Sequence, residues 1–511
     1  MLDEILDAGL TPTVATDYKR WKPLHWILAV PDVMERGGFD AVIGNPPFLS
    51  GSDITGAFGT NVRDWLVHLL AFGQRGRADV VAYFFLRATS LLGSRGALGL
   101  IATNSIAQGK SREVALDQMV ARGFTITRAI QSREWPAAGA NLEYAAVWGS
   151  NGPVSVEVPK VADEVSVKRI STLLEPAGRV DGLPIRLTEN AGITFQGCIV
   201  LGMGFVLDPD EAAAWLEVDP RNADVLFPYL AGEDLNSQPD MSPTRWVIDF
   251  YDRPEAAARQ YPIPFERILA RVKSDRQKSN RKAVRERWWQ FAEKRPGMRK
   301  ATASLTEILI VTRHSVTVMP CRIDNDLIPS EATVVFATES FADQAVLSSS
   351  PHQMWAIKYG SGLRKDPRYT PSGVFETFPR PKPDERLAEI GRLLDSARRE
   401  IMLRRDLGLT KLYNLVNDSG TPDSVDRDVA RLREIHVELD HAVIDAYGWG
   451  DVPLDHDFYT YRQMRRWTVT PTARVEILDR LLEENHRRAA AQGEAPPPAE
   501  DEEDEDEGDE E

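Results

Sequence analysis

The sequence predicts an α/β segment, then a mixed α+β segment, then a helical module, on three observations. Between Phe39 and Trp148, short apolar runs alternate with helically spaced ones. From about Ile185 the apolar pieces shorten and are punctuated by Gly, Pro and Asp, as in Phe195-Gln196-Gly197 and Leu201-Gly202-Met203-Gly204. From Glu385 to Tyr447, and again from Ala473 to Ala491, the pattern is helical and densely charged.

The elements follow in order. Phe39 to Gly44 is a short apolar run ending in Asn-Pro-Pro, which predicts a buried strand entering a loop. Helices are expected over Asp64–Phe72, Ala78–Leu92 and Glu113–Gly123. Gly96–Ala102, Phe124–Ile130 and Leu142–Trp148 read as further strands, of a largely parallel sheet. In such sheets ligands bind beyond the carboxyl ends of the strands, where Asn45 and Asn104 fall. The second segment holds strands at Ile308–Thr312 and Ala332–Phe336 and a basic, helical stretch over Phe265–Lys300. It closes at the Pro-rich Phe378–Pro383. The boundaries predicted are 1–184, 185–383, a helical module at 384–492 and a disordered tail at 493–511.

Charge is unevenly spread over the 511 residues. The net charge is -16, but Glu500–Glu511 alone carries 11 acidic residues, leaving -5 for the rest. Such a tail buries too little apolar surface to order itself; it is a solubilising tail or a DNA-mimicking, partner-binding one. Arg267–Lys300 holds 13 Lys or Arg against 3 acidic residues, which is compatible with nucleic-acid binding. Two cysteines, Cys198 and Cys321, exclude a disulfide framework or a Cys-rich zinc site. No apolar stretch reaches membrane-spanning length and the acidic start does not read as a secretory signal, so a cytoplasmic protein is expected.

Asn45-Pro46-Pro47-Phe48 has the composition needed to methylate an exocyclic amine. The lone pair of that amine is delocalised into its ring, and two acceptors aimed at its hydrogens favour the change to a nucleophilic nitrogen. The Asn45 side-chain amide and the Pro46 carbonyl are suited to that task. The two prolines stiffen the loop, and Phe48 offers a flat face to a base extruded from a duplex.

On these residues the chain resembles the gamma-type adenine-specific DNA methyltransferases, and most closely the large methylases of type IIG/IIL restriction–modification and of DISARM-like phage defence. The resemblance rests on Phe39–Phe48, on Ala78–Phe85, on Gly99–Gly109, and on Ser132–Trp148 with its Trp135-Pro136. Phe227–Leu235 and Arg245–Phe250 resemble the family's target-recognition domain. The resemblance implies a partial class I, Rossmann-like methyltransferase sheet in residues 1–184 and target recognition in 185–383. It implies transfer of a methyl group from S-adenosyl-L-methionine to the N6 amine of a flipped adenine in double-stranded DNA, with Asn45, Pro46, Pro47 and Phe48 as the catalytic residues. The chain departs from the family in one respect. Only 44 residues precede Asn45, and they contain no glycine-rich loop to hold S-adenosylmethionine. The cofactor-binding half is therefore expected on another, upstream-encoded chain, or outside a truncated frame. The alternative is a catalytically silent DNA-recognition subunit.

Other residues carry two readings each. Asp79 and Tyr83 lie one helical turn apart and share a face; they stand near the base or cofactor, with Tyr83 a candidate for the base pocket, or Asp79 is a plain N-terminal helix carboxylate. Asn104 and Trp135 are further candidates for the base pocket, or respectively a turn-forming Asn and a core tryptophan. Arg245, Arg285, Arg287, Trp288, Trp289, Arg313, Arg364 and Lys365 are candidate DNA contacts; for the basic stretch the alternative is a solvated face with a tryptophan anchor. His436, Asp440 and His441 lie close on a helix but lack the spacing of a metal site, and none is expected. No nuclease-type metal cluster is seen.

Overall fold

The computed structural model describes residues 24–74, 78–135, 143–155, 157–180, 182–360, 367–461 and 464–492. The chain divides into two compact units, Met1–Gly178 and Arg179–Glu511.

The first unit is built on strands β1 (Phe39–Gly44), β2 (Leu92–Ala102), β3 (Phe124–Glu134), β4 (Glu143–Asn151), β5 (Lys160–Ala162) and β6 (Val165–Val167). They form one sheet in the order β1-β2-β4-β3-β5-β6. The expected parallel sheet is corrected here: β1–β2 and β3–β5 are parallel, whereas β2–β4, β3–β4 and β5–β6 are antiparallel. Strand directions follow from the connections. Residues 45–91 leave room for a helical crossover between β1 and β2, whereas β4 returns directly alongside β3.

Helix α1 (Ile54–Trp65) follows β1, and α2 (Val80–Leu91) precedes β2. Helix α2 is apolar nearly all round and buries Val80, Val81, Ala82, Tyr83, Phe85, Leu86 and Ala88. Each large side chain so buried contributes about 1.5–3 kcal/mol. It lies against the face of the sheet that carries Leu98, Leu100, Val147 and Ile126, all in the same core.

Strand β1 is the second correction. It is an edge strand, paired on one side alone among the described residues, and Ile43 is 85% exposed. Its apolar residues point to both faces, and on the second face Trp26 meets Phe39 at 5.4 Å while Ala41 and Ile43 are exposed among the described residues. On that face the register places Ile43, Gly99, Trp148 and Arg128 in one row across β1, β2, β4 and β3. The Trp148 ring edge stands close to Gly99, where a Cβ would lie 3.1 Å from its Cδ1.

The second unit has two four-stranded sheets. One has the order β13 (Ile328–Pro329), β9 (Leu226–Leu230), β10 (Arg245–Ile248), β8 (Val206–Leu207). The other runs β12 (Cys321–Asp324), β11 (Glu307–Thr312), β14 (Thr333–Phe336), β7 (Thr194–Gln196). Besides the helices between residues 209 and 302, among them Pro209–Val218 and Pro262–Arg271, it holds α3 (Phe341–Ser348), α4 (Ser350–Tyr359), α5 (Glu385–Arg405), α6 (Leu409–Val416), α7 (Arg427–Ala446) and α8 (Pro471–Gln492). One hydrophobic core runs from Phe195 to Leu482, with Phe378 of the Pro-rich stretch fully buried in it and Lys382 and Pro383 exposed. Helix α8 ties the front of the unit to its end: the Asn485 side chain accepts from Ile185 N–H (2.9 Å) and donates to the carbonyls of Ile185 (2.7 Å) and Thr377 (2.6 Å). A hairpin, β15 (Asp457–Tyr461) and β16 (Met464–Thr468), interrupts the module expected to be all helical. The acidic tail at 493–511 lies outside the described residues.

Candidate active site

The parallel pairing of β1 with β2 sets Gly44 opposite Leu100, and the antiparallel pairing sets Ala102 opposite Ala145. The loop after β1, the loop after β2, the end of β3 and the start of β4 therefore gather at one end of the sheet. Asn45 is exposed, and its side chain makes no hydrogen bond among the described residues. Pro46 is buried, while Pro47 and Phe48 are exposed. Leu49 turns back into the core, and its carbonyl accepts from Val80 N–H (3.0 Å) at the start of α2. The result is a stiff loop anchored behind an open amide.

The walls come from the neighbouring loops. Asn104 donates to Glu143 Oε2 (3.3 Å), and Ser132 donates to the same oxygen (2.6 Å). Trp135 meets Tyr144 edge to face at 5.4 Å. Asp79 accepts from Gly51 N–H (3.2 Å) and from the Ser105 hydroxyl. The meeting of Glu143 with Ser132 and Asn104, and of Ser105 with Asp79, was not foreseen; it depends on the pairing of β3 with β4 and on the path of the loop after β2. Tyr83 is corrected as a wall of the pocket. It is 2% exposed inside the core, and burial raises its pKa, with Arg63 opposing. Helical spacing from Asp79 gives a shared face but not the direction in which that face turns.

The described residues do not by themselves fit S-adenosylmethionine. Among them no strand precedes β1, and so no strand-to-helix glycine loop is available to cradle the cofactor. Gly37 and Gly38, with φ of 99° and 120°, form a turn pressed on backbone: a Cβ at Gly38 would stand 2.5 Å from the Leu91 carbonyl oxygen.

In the second unit the candidate DNA contacts separate. Arg287 is exposed and makes no hydrogen bond or ion pair among the described residues. Arg245, in β10, is half-exposed beside Tyr229. Trp288 is corrected: it is 4% exposed, packed on Phe265 at 5.5 Å, and has no face to offer a base. Arg313 is likewise corrected, being 8% exposed beneath β14 and Tyr369. Trp289 is half-buried and donates to the Arg253 carbonyl (2.9 Å). Arg285 closes its own loop through the carbonyls of Ser279 (2.6 Å) and Asn280 (2.8 Å). Arg364 and Lys365 lie outside the described residues.

Part of the basic stretch is structural, while Arg271, Lys278, Arg281, Lys282, Arg285, Arg287 and Lys300 are exposed. Arg276 is 3% exposed and donates to the carbonyls of Val200, Leu201, Trp288 and Gln290; burial pushes its pKa down to about 10. Arg295 is buried against Gly197 and Gln196, and Arg299 pairs with Asp249 at 2.7 Å. His436 and Asp440 are spoken for in other ways. His436 bonds to the Tyr413 hydroxyl (2.9 Å), and Asp440 bonds to His456 (2.8 Å) and Ser350 N–H (2.7 Å).

Comparison with known proteins bears on both units. The family described as Eco57I restriction-modification methylase matches residues 8–131, and the family described as MmeI, target recognition domain, matches residues 192–382. No curated protein matches the chain. Among solved structures, the type IIL restriction-modification enzyme MmeI in complex with DNA shares the fold with a TM-score of 0.61 at 18% identity, over 91% of this chain and 59% of that one. The type IIG restriction endonuclease BpuSI matches at a TM-score of 0.32 and 14% identity, over 82% of this chain and 55% of that one. The DrdV–DNA complex matches at 0.30 and 11%, over 73% and 45%. The chain spans less than two thirds of the length of each of these proteins. No helix among the described residues is long and apolar enough to cross a membrane. In order along the chain, residues 8–131 are thus similar to the Eco57I restriction-modification methylase family and residues 192–382 to the MmeI target recognition domain.

Proposed function

We propose that the chain supplies the substrate half of an active site that methylates the N6 amine of an adenine flipped out of double-stranded DNA, in restriction–modification or phage defence. The observation that carries this reading is the open amide of Asn45 on a proline-stiffened loop at the end of β1, inside the segment matched by the methylase family. The Asn45 side-chain oxygen and the Pro46 carbonyl accept from the two amine hydrogens and draw the nitrogen towards a nucleophilic geometry. Phe48 stacks on the extruded base, and Trp135, Tyr144 and the Asn104–Glu143 pair border it. Residues 1–184 act in catalysis and 185–383 in target recognition, with Arg245 and Arg287 as cations left available to DNA.

The methyl donor, S-adenosyl-L-methionine, is held by a half-domain carried elsewhere, completing a class I sheet. The free edge of β1 and the bare row of Ile43, Gly99 and Trp148 support this, because strands of parallel α/β sheets are covered on both faces. The absence of a cofactor loop among the described residues favours a second reading, a catalytically silent DNA-recognition subunit. Mixing the full chain with a polypeptide carrying the glycine-loop half, and digesting the treated DNA to nucleosides, tests the first. N6-methyladenine is the expected product. N4-methylcytosine as the sole product contradicts the assignment, and sequence-specific binding with no methylated base establishes the silent subunit.

A further inference from the structure

We propose that Asp79 is a positioning residue that locks the Asn45–Gly51 loop to the exit of β2. The inference rests on the reading of Asn45 given above. An Asp at the N-cap of a helix ordinarily accepts from the N–H groups of its own first turn, and is worth about 1 kcal/mol there. Asp79 holds that place at the head of α2, with extended backbone (φ -62°, ψ 151°), yet its side chain makes no bond to its own helix.

The carboxylate is spent elsewhere. One oxygen accepts from Gly51 N–H (3.2 Å), six residues after Asn45, and the other accepts from the Ser105 hydroxyl. Ser105 is bonded in turn to Thr103 Oγ (2.7 Å) in the loop after β2. The Asp79 N–H donates to Ser111 Oγ (3.0 Å), so the residue is itself held from a third segment. Pro46 and Pro47 have no N–H with which to fix the loop. The hydrogen bonds that tie residues 45–52 to other elements, among the described residues, both lead to the head of α2: Val80 N–H to the Leu49 carbonyl, and Gly51 N–H to Asp79. Asp79 therefore sets where Asn45 stands relative to Asn104, which follows Thr103 in the same loop as Ser105.

The chemistry of the two donors predicts an unequal series. In Asp79→Asn the amide oxygen still accepts from Gly51 N–H. The Ser105 hydroxyl can rotate to accept from the new NH2 group, so both links persist. In Asp79→Ala both are lost, and in Ser105→Ala one is lost. The test uses the full chain with the separately supplied cofactor-binding half and unmethylated plasmid DNA. It reads single-turnover methyl transfer, and hydrogen exchange of the peptide spanning 45–52 in the chain alone. A displacement on the order of 1 Å costs up to about 100-fold in rate, so Asp79→Ala is expected to slow transfer about 10- to 100-fold with the KM for DNA little changed. Asp79→Asn stays close to wild type, Ser105→Ala falls between, and Asp79→Ala/Ser105→Ala is no worse than Asp79→Ala, as coupled partners require. Exchange at 45–52 rises in Asp79→Ala and not in Asp79→Asn. Equal losses in Asp79→Ala and Asp79→Asn, additive losses in the double variant, or unchanged exchange at 45–52 would overturn the proposal. Exchange that follows the series while the wild type methylates no DNA leaves the positioning role standing and removes the methylation reading instead.

Discussion

His352 is fully buried in the second unit, with its Nδ1 bonded to the Leu347 carbonyl (2.7 Å) and its Nε2 to the Tyr369 hydroxyl (3.0 Å). The ring is neutral, with Nδ1 donating and Nε2 accepting. Burial holds its pKa down at about 4, against about 6.5 in an unfolded chain. Between those values the unfolded chain binds a proton that the folded chain does not, so stability rises with pH and is lost as pH falls from about 6.5 towards 4. His436, buried beside Tyr413 and also held at about 4, acts in the same direction. Full protonation costs about 3 kcal/mol for each ring. Thermal unfolding followed against pH is expected to show a shallower decline over that window in His352→Gln than in wild type; an unchanged slope contradicts the buried neutral ring. At the same scale, Asn45 was legible because its motif is contiguous and its neighbours are prolines. Glu143 was not, because nothing local marks a carboxylate that will receive Ser132 from β3 and Asn104 from the loop after β2.

At the scale of elements, β1 shows what apolar patterning conveys and what it omits. Phe39–Gly44 is apolar on both faces, which reads as burial, yet Ile43 stands 85% exposed at the sheet's edge. The pattern reports the environment the strand requires, not the one the described residues provide. Replacing Ile43 with Lys is expected to change the stability of the chain alone by less than about 0.5 kcal/mol, as for exposed sites generally. The same change should weaken association with the cofactor-binding half by at least about 10-fold, as for an apolar anchor at an interface centre. Equal affinity of the two forms in a titration removes β1 as the joining edge. Helix α5 gives the opposite case. Gly391 lies so close to the Phe341 carbonyl that a Cβ would stand 2.0 Å from its oxygen. Gly391→Val should cost at least about 3 kcal/mol by overpacking, read as a lowered denaturation midpoint; a midpoint like that of wild type contradicts the close α3–α5 crossing. In the basic stretch, charge alone leaves side-chain direction open for a related reason. Counting charges does not reveal that Arg276 and Arg295 will end on buried carbonyls, nor that Trp288 will sit among Phe265 and Phe205's core neighbours.

At the scale of the molecule, the alternation of strands and helices, and its change near residue 185, were legible as mixed α/β structure in two successive parts. Strand direction was not, since β4 lies antiparallel between β2 and β3 by virtue of a short return that hydrophobic periodicity does not encode. Nor was the merging of the helical module with the recognition segment, where one core continues from Phe195 to Leu482 through Phe378. The proposed division of labour, with the amine held by this chain and the methyl donor by another half-domain, turns on Asn45. The most direct measurement is single-turnover transfer of labelled methyl groups to DNA by the chain completed with that half, comparing wild type with Asn45→Ala. Losing one preorganised acceptor costs about 100- to 1000-fold in rate. The prediction is a loss of that size with DNA affinity unchanged within about twofold, and transfer by Asn45→Ala at the wild-type rate would contradict it.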